Sequence, residues 1–558
     1  MAQRRKTKAS STPKDATPAS SAVEQVFKIP ELQRLIFQAI DEAQIASFNY
    51  LDPIALSSSR QRRSFPQSGH ALAALAQTCR GFQEIALNIL WERLDTFEPL
   101  LRLLPRDVYP SSSTLVLRRP VLAQDWDVLN KYRHRVHFLG RSQKSIDTGI
   151  SPEVLSTLMN SPHSGLALLP RLQELTWNDN NPDADISVFR RLLHPGLVGL
   201  HIAMGPNRLS TLSLLSTLSI FCPAITRFSC TVSSDLNARY LLSILSETIS
   251  KWEHLENVTT PVLEDRAMSH LATLQSLKSM TLGLQGTPRI SNVAFLHPLV
   301  SLSLVSNTLP YCTSLLEKVN IDTPILSTRI TVPPQTTVIH TFFETLPSHI
   351  ADTLKHISIV LSKASPARTS SAFRHIIGLE IIRPLFHYRH LQKVNLTAFC
   401  ASHMDDIALK EMAKAWPQLI QLGLGGAPSY IADPFFTFTG ITSLLKRCKH
   451  LTNLTLTFDT DTAVSVTAEI PAGGNIVNTN VVAIHVGYSS IKDPVPVAVH
   501  LSAIFPNLTS IAISDDDEER DEISRRRAGW DQVRKLLPTF ALVRQQGWEQ
   551  ARRAQQTS

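Results

Sequence analysis

The sequence has few charged residues for its length. Only 18% of the 558 residues are Asp, Glu, Lys or Arg, whereas about a quarter is usual in soluble domains. Much of the surface must therefore consist of Ser, Thr, Asn and Gln. The net charge of +8 comes partly from basic residues near the two ends of the chain, and it is too dilute to favour a nucleic-acid partner.

Paired cysteine motifs and long apolar runs are also missing. The 6 cysteines show no C-x-x-C pair and no spacing typical of a disulfide framework or a zinc site, so we interpret them as core thiols in the cytoplasm, the nucleus or both. No apolar run near the start predicts a secretory signal. The uncharged stretches 209–226 and 290–316 contain Ser, Thr and Pro, which favours buried core over a membrane span.

Signatures of catalysis and of cofactor binding are absent as well. The sequence has no G-x-S-x-G, no G-x-x-x-x-G-K-[ST] and no H-E-x-x-H. None of the histidines pairs with a second metal-type residue at a recurring spacing, so neither a metal nor another cofactor is predicted. The cluster Gly423–Gly426 lacks the full glycine fingerprint of a phosphate loop and is interpreted as a tight turn.

An apolar pattern with helical spacing lies between residues 29 and 94. It opens with IPELQRLIF from Ile29, where Pro30 suits the first position of a helix. A second run, LAALAQTCRGF from Leu72, continues to Trp91 and Leu94. Residues 41–70 interrupt the pattern and are predicted to form a loop. Periodicity alone leaves open whether these helices cap a core or present an apolar face to a partner.

A six-residue template, L-x-x-L-x-L with any apolar residue at the marked positions, recurs from residue 172 onwards, behind helix-like segments. Weaker copies begin at Leu316 and Val481, and long steps into Leu354 and Leu391 predict insertions. Most steps are close to the roughly 20–29 residues of a leucine-rich repeat. The clear copies begin at Leu172, Leu197, Ile225, Leu255, Leu277, Leu299, Leu354, Leu391, Leu419, Leu451 and Leu508.

The third and fifth template residues are mostly small and polar. Because side chains alternate along a strand, these residues face away from the helices, and stacked strands would form a concave wall of the kind that repeat proteins use for protein partners. Basic residues such as Arg227, Lys318 and Lys393 favour an acidic or phosphorylated target segment. The candidate substrate-binding residues are Arg227, His356, Lys393, Asn395 and Asn453.

The pattern at residues 29–94 resembles an F-box. The Pro-Glu-Leu start, the following Ile-Phe, the later Leu…Cys…Phe helix and the closing Leu-Trp occur in the order found in that family. Two features differ, because Ile29 replaces the usual leucine before proline and the segment 41–70 exceeds the usual interhelical loop. An F-box followed by irregular leucine-rich repeats is similar to the large set of fungal F-box proteins.

In that family the F-box packs on the Skp adaptor of a cullin-RING ubiquitin ligase, and the repeats hold the target protein. The resemblance implies a non-catalytic substrate receptor that promotes ubiquitination by proximity. Charge and composition predict no membrane or nucleic-acid partner. Two alternatives are a repeat scaffold without a ligase, and a hydrolase or transferase with its site between Ile321 and Leu391. The adaptor-facing residues implied by the resemblance are Pro30, Leu32, Ile36, Leu75, Cys79 and Phe82.

The predicted fold class is α/β, with an N-terminal helical F-box followed by a leucine-rich-repeat solenoid of strand–helix units in a horseshoe. A connecting segment with the first irregular repeats is expected at 101–170. The predicted domains are a disordered basic tail (1–24), an F-box-like helical domain (25–100) with a loop insertion (41–70), the connecting segment, the solenoid (171–514), a charged loop (515–528) and a C-terminal capping helix with its tail (529–558).

Overall fold

In the computed structural model the described residues form two compact units, the first containing those up to Leu172 and the second those from Gln173 onwards. The predicted tail 1–24 and residues 50–68 of the predicted loop lie outside the described residues. The structure describes residues 29–49, 69–105, 107–108, 117–140, 150–159, 167–179, 186–205, 209–232, 238–261, 263–288, 290–362, 376–399, 401, 404–425, 436–462, 476–514 and 520–557.

The first unit begins with three helices that pack around a small apolar core. Helix α1 continues to Asn49, so the prediction that the loop starts at residue 41 is wrong. The buried core residues are Phe37, Leu72, Ala76, Ala86 and Ile89. The elements of this unit are α1 (Pro30–Asn49), α2 (Gly69–Thr78), α3 (Arg80–Glu92), β1 (Arg93–Leu94), α4 (Glu98–Leu101), α5 (Ala123–Arg133), β2 (Phe138–Leu139) and α6 (Pro152–Met159).

The second unit alternates strands and helices along its whole length. Its strands are β3 (Glu174–Asn178), β4 (Gly199–Met204), β5 (Arg227–Val232), β6 (Asn257–Pro261), β7 (Ser279–Leu284), β8 (Val293–Ala294), β9 (Ser301–Ser306), β10 (Val319–Asn320), β11 (Ile325–Ile330), β12 (His356–Leu361), β13 (Lys393–Leu396), β14 (Gln421–Leu424), β15 (Asn453–Leu456), β16 (Ala483–His485) and β17 (Ser510–Ala512). Its helices are α7 (Ile186–Leu192), α8 (Leu209–Leu215), α9 (Leu218–Phe221), α10 (Ala238–Ile249), α11 (Asp265–Thr273), α12 (Leu309–Leu316), α13 (Thr336–Glu344), α14 (Leu379–Ile382), α15 (Asp406–Ala415), α16 (Phe438–Arg447), α17 (Pro494–Ile504) and α18 (Arg520–Thr557), with 3-10 turns at Ser348–Ile350 and Arg383–His387.

Strands β3 to β7, β9 and β11 to β17 are neighbours in chain order in one large parallel sheet. Strands β8 and β10 pair separately as a two-stranded parallel sheet. Parallel neighbours need a connection that returns the chain to the same end of the sheet, and most of the helices lie in these connections. The α/β prediction, taken as a large parallel sheet with helices, is confirmed.

Burial alternates along the strands, as the template predicted. In β7, Met280 and Leu282 are buried while Ser279 and Thr281 are partly exposed. Each fully buried leucine contributes roughly 1.5–3 kcal/mol relative to an exposed one, so this alternation orients each strand. A shift of one residue would expose the whole apolar set.

The strand pairing aligns the third and fifth template residues into two rows, which together we call the polar sheet face. The first polar row contains Glu174, Gly199, Arg227, Asn257, Ser279 and Ser301 on β3 to β9, then Ile325, His356, Lys393, Gln421, Asn453, Ala483 and Ser510 on β11 to β17. The second polar row contains Thr176, His201, Ser229, Thr259, Thr281, Ser303, Ser327, Ser358, Asn395, Gly423, Thr455, His485 and Ala512.

One strand of the large sheet, β11, was missed by the template. Thr323 and Thr328 stand where the template expects apolar residues, and both side chains are buried. The weak copy at Leu316 instead leads to β10, in the two-stranded sheet. The long step into Leu354 therefore contains a strand and a helix, β11 and α13, rather than an insertion. The other weak copy, at Val481, does lead to a strand of the large sheet, β16.

The last helix, α18, packs on α17 and β17. It begins at Arg520, so the prediction of a loop reaching residue 528 is wrong, while 515–519 lie outside the described part of the chain. Trp530 and Val533 are fully buried on its inner side, and the Trp530 indole Nε1 donates a hydrogen bond to the Ser489 carbonyl oxygen at 2.9 Å. These contacts anchor the first half of the helix.

Candidate functional site

Helix α1 has two different faces. Phe37 is 1% exposed and its ring meets Phe82 edge-on, with ring centroids 5.3 Å apart. On the outer side Leu35 is 61% exposed and Leu32 is 36% exposed, and Ile29, just ahead of the helix, is 44% exposed. We call Ile29, Leu32 and Leu35 the apolar flank. Exposed apolar groups that cluster in this way are typical of protein–protein contact sites.

The six residues predicted to face an adaptor separate into two groups. Pro30, Leu32 and Cys79 are exposed. The remaining three are partly buried and pack against the core of the first unit, and they are Ile36, Leu75 and Phe82. Leu35, which belongs to the same sequence pattern, was not among the predicted site residues although it is the most exposed member of the apolar flank.

Cys79 lies in the turn between α2 and α3. Its carbonyl oxygen accepts hydrogen bonds from the backbone N–H groups of Phe82 and Gln83 at 3.2 and 3.1 Å, which fixes the start of α3. The side chain itself is exposed. Residue 79 is therefore the N-cap of α3, and its thiol is in contact with solvent.

Four of the five predicted substrate-binding residues gather on β12 to β15. His356 and Lys393 are direct neighbours in the first polar row, and Asn395 lies beside Ser358 in the second. Asn453 is exposed and lies two strands further along the first row. This part of the sheet is therefore a continuous polar surface.

Two of the basic residues considered for binding are already engaged. Arg227 lies at a different part of the sheet, on β5, and forms an ion pair with Glu174. Lys318 lies next to β10, outside the large sheet, and its Nζ donates a hydrogen bond to the Pro288 carbonyl oxygen at 2.8 Å. The charge of Arg227 is therefore compensated by Glu174, whereas Lys318 keeps its charge but lies outside the polar sheet face.

Arg329 on β11 was not predicted because the strand that carries it was missed. Its side chain is exposed, and it lies opposite Val360 of β12 and Val305 of β9. It is therefore one step beyond the second polar row, on the same side of the sheet as Ser327. Burial alternates along this strand, but polarity does not, because Thr328 is at a buried position; the β-branched residues Ile325, Thr328 and Ile330 were the available signal for a strand here.

Two histidines of the polar sheet face, His356 and His201, are shifted toward the neutral form. Burial lowers the pKa of His356, and the charges of Lys393 and Lys355 lower it further. Burial also lowers the pKa of His201, where Glu174 opposes the shift and Arg227 supports it. At neutral pH His356 therefore acts as a neutral hydrogen-bonding group, and the positive charge beside it comes from Lys393 and Lys355.

Several thiols are unsuited to nucleophilic chemistry because they are buried. Burial raises the pKa of Cys222, Cys230, Cys312 and Cys448 to about 12, so these groups stay protonated. Among the residues that the structure describes, no group of three or more His, Cys, Asp or Glu side chains is placed to hold a metal ion. Within the same residues, no helix is long and apolar enough to span a bilayer.

Comparison with known proteins gives no family assignment. No family model matches the sequence, and no curated protein matches it. Function is therefore inferred from the two surfaces described above, namely the apolar flank of the first unit and the polar sheet face of the second.

Proposed function

We propose that this chain is the substrate-receptor subunit of a Skp–cullin–F-box ubiquitin ligase. The N-terminal helices act as an F-box that docks a Skp-type adaptor, and the strand–helix units act as a leucine-rich-repeat solenoid that holds a protein target. The observation that carries the proposal is that the F-box-like segment 29–94 presents exposed Leu32 and Leu35 while a separate unit presents a long polar sheet face.

The adaptor side of the proposal is supported by the surface of α1. Burial of apolar surface is favourable by roughly 25 cal/mol per Å². A partner that covers these three large apolar side chains would therefore gain binding free energy. Pro30 and Cys79, which the family pattern assigns to the same surface, are also exposed. The proposal therefore assigns both the apolar flank and the α2–α3 turn to the contact with the adaptor.

The target side is supported by the repetition in the second unit. Each strand–helix segment contributes two side chains to the polar sheet face, so the surface grows linearly with the number of segments. Its residues are mostly Ser, Thr and Asn, with few charges. Such a surface suits an extended protein segment better than a small molecule, which usually needs an enclosed apolar pocket.

The mechanism that follows is proximity rather than chemistry on this chain. Holding a target beside a ligase-bound ubiquitin donor raises the effective concentration of its lysines. No catalytic side chain of the receptor takes part. The receptor contributes two binding surfaces in separate units, and a target is selected by the second one.

One observation favours a second candidate, a repeat scaffold that binds proteins without a ligase. Ile36, Leu75 and Phe82 pack against the core of the first unit and are therefore less available to an adaptor than the family pattern implies. In that case the N-terminal helices would only complete the fold. A scaffold of this kind would not bind an adaptor, with or without changes to the apolar flank.

Co-purification with a Skp-type adaptor tests the proposal. The wild-type chain and a Leu32→Asp/Leu35→Asp variant are each co-expressed with the adaptor, and the adaptor retained per receptor is measured. Leu542→Asp/Val543→Asp is the matched control, since those two α18 side chains are 56% and 59% exposed. We expect retention by wild type and control and loss by the flank variant. Equal retention by all three would remove the docking surface from the proposal.

A further inference from the structure

Three side chains form a diagonal across the polar sheet face, namely Arg329 on β11, Ser358 on β12 and Lys393 on β13. Arg329 pairs with Val360, two residues after Ser358, and Lys393 pairs with His356, two residues before it. Each step along the diagonal therefore moves one strand across and two residues back. With strands about 4.8 Å apart and about 3.3 Å per residue, the Cα atoms of Arg329 and Lys393 are about 16 Å apart.

The two ends of this diagonal carry positive charge without a bound carboxylate. Both side chains are exposed, and neither forms an ion pair with any residue that the structure describes. In the two polar rows, the strands from β6 to β17 contribute no Asp or Glu. The one carboxylate in those rows, Glu174, lies on β3 and is bound to Arg227.

Two hydroxyl groups lie between the two charges, those of Ser327 and Ser358, which are paired neighbours in the second polar row. Ser303 continues that row on β9, beyond the Arg329 end of the diagonal. All three are partly exposed, and none has a side-chain hydrogen bond within the described part of the chain. Ser279 and Ser301, by contrast, bond to each other at 2.7 Å. The free hydroxyls can each donate one hydrogen bond to an acceptor-rich ligand.

We infer that Arg329, Ser358 and Lys393 bind an extended acidic segment of the target protein, with two negatively charged side chains about five residues apart, because five extended residues span about 16 Å. Guanidinium and ammonium groups bind carboxylates or phosphates through charge-assisted hydrogen bonds. The serine hydroxyls donate to backbone carbonyls between the two charges. This inference rests on the proposed function, since it names the class of target that the receptor selects.

Peptide binding to the full chain tests the inference. The probes are three fluorescein-labelled peptides that share one Ser/Gly/Thr sequence. They differ at two positions five residues apart, which are both glutamate, both phosphoserine or both lysine. Binding is measured by fluorescence anisotropy. The variants are Arg329→Glu/Lys393→Glu and, as a control with the same change of charge, Lys410→Glu/Lys446→Glu on α15 and α16. Both control lysines are exposed, and thermal unfolding checks that all variants fold.

Both acidic peptides are expected to bind wild type and the control, to bind the Arg329→Glu/Lys393→Glu variant at least about tenfold more weakly, and to lose affinity with added salt. The tighter of the two identifies carboxylate or phosphate as the preferred acid. Equal binding to both variants, or equal binding of the lysine peptide, overturns the inference. Adaptor retention is measured on the same variants, so loss of peptide binding with intact adaptor binding separates this inference from the proposed function.

Discussion

Glu174 on β3 and Arg227 on β5 form an ion pair that passes over the intervening strand β4. The strand has Gly199 at this position of the row, and a Cβ there would lie 2.8 Å from Glu174 Cγ and 3.5 Å from Arg227 Nε. The pair therefore forms because β4 has no side chain between its partners. Its consequence is that the first strands of the polar sheet face have no uncompensated charge in the first polar row.

Replacing Gly199 by valine should uncouple this pair. The side chains of Arg227 and Glu174 are 38% and 29% exposed, so the coupling free energy in a Glu174→Gln, Arg227→Gln double-mutant cycle should be small, about 0.5 kcal/mol. In a Gly199→Val background the coupling should fall to about zero. Urea unfolding of the eight chains gives both values, and an unchanged coupling with valine present would show that the pair does not depend on the glycine.

Thr328 is the site of an expected stabilising substitution. Its side chain is fully buried, and its hydroxyl has no hydrogen-bond partner among the described residues. Thr328→Val keeps the shape and removes the unsatisfied hydroxyl, so the free energy of unfolding should rise by about 1 kcal/mol.

The matched control for that substitution is Thr211→Val. The Thr211 hydroxyl donates a hydrogen bond to Asp179 Oδ2 at 2.9 Å in a buried position, so its removal should lower the free energy of unfolding by about 1–3 kcal/mol. Chemical denaturation of both variants makes the comparison. A loss of stability in Thr328→Val similar to that in Thr211→Val would mean that the Thr328 hydroxyl is bonded.

Mild acid should destabilise the fold through its half-buried histidines. Burial lowers the pKa of His201 in the folded chain below the ordinary value of 6.5, so the folded state binds fewer protons than the unfolded state. The stability is fully present above pH 6.5 and is lost as the pH falls from there through the lowered pKa of His201.

The measurement is urea unfolding at pH 7.5 and at pH 5.5, a window above the titration of ordinary carboxylates at about 4. Wild type should lose stability at the lower pH, and His201→Gln should lose less because one of the shifted groups is gone. His356, whose pKa is lowered by burial and by Lys393 and Lys355, supplies part of the remaining loss. An identical pH dependence of wild type and His201→Gln would contradict this assignment.

The sequence predicts much of the sheet because strand burial is a local property. The copy at Leu419, for example, places Leu422 and Leu424 inward, and the strand Gln421–Leu424 has that orientation. The template failed at β11 because Thr323 and Thr328 are buried where leucine was expected. The template requires apolar residues at the inward-facing positions, because a hydroxyl group is normally buried only when it is hydrogen-bonded. It therefore does not recognise a strand with threonines at these positions.

The candidate sites were predictable only in part, because contacts distant in sequence decide which residues are free. Arg227 matched the expected pattern, but its pairing with Glu174 joins segments 53 residues apart and depends on a third residue, Gly199. Arg329 was missed together with its strand. On α1 the periodicity identified an apolar stripe but not which members face outward, because the inward position of Phe37 depends on α2 and α3.

The most direct test of the proposed receptor function is the alkylation rate of Cys79 with and without a saturating Skp-type adaptor, followed by peptide mass spectrometry. Cys79 is exposed in the chain alone, whereas Cys222 and Cys448, with pKa values raised to about 12 by burial, serve as internal controls that stay unlabelled. We predict that Cys79 is labelled rapidly in the free chain and at least about tenfold more slowly in the complex with the adaptor. A covered thiol reacts only when the site opens. An unchanged rate at saturating adaptor would contradict docking at this surface.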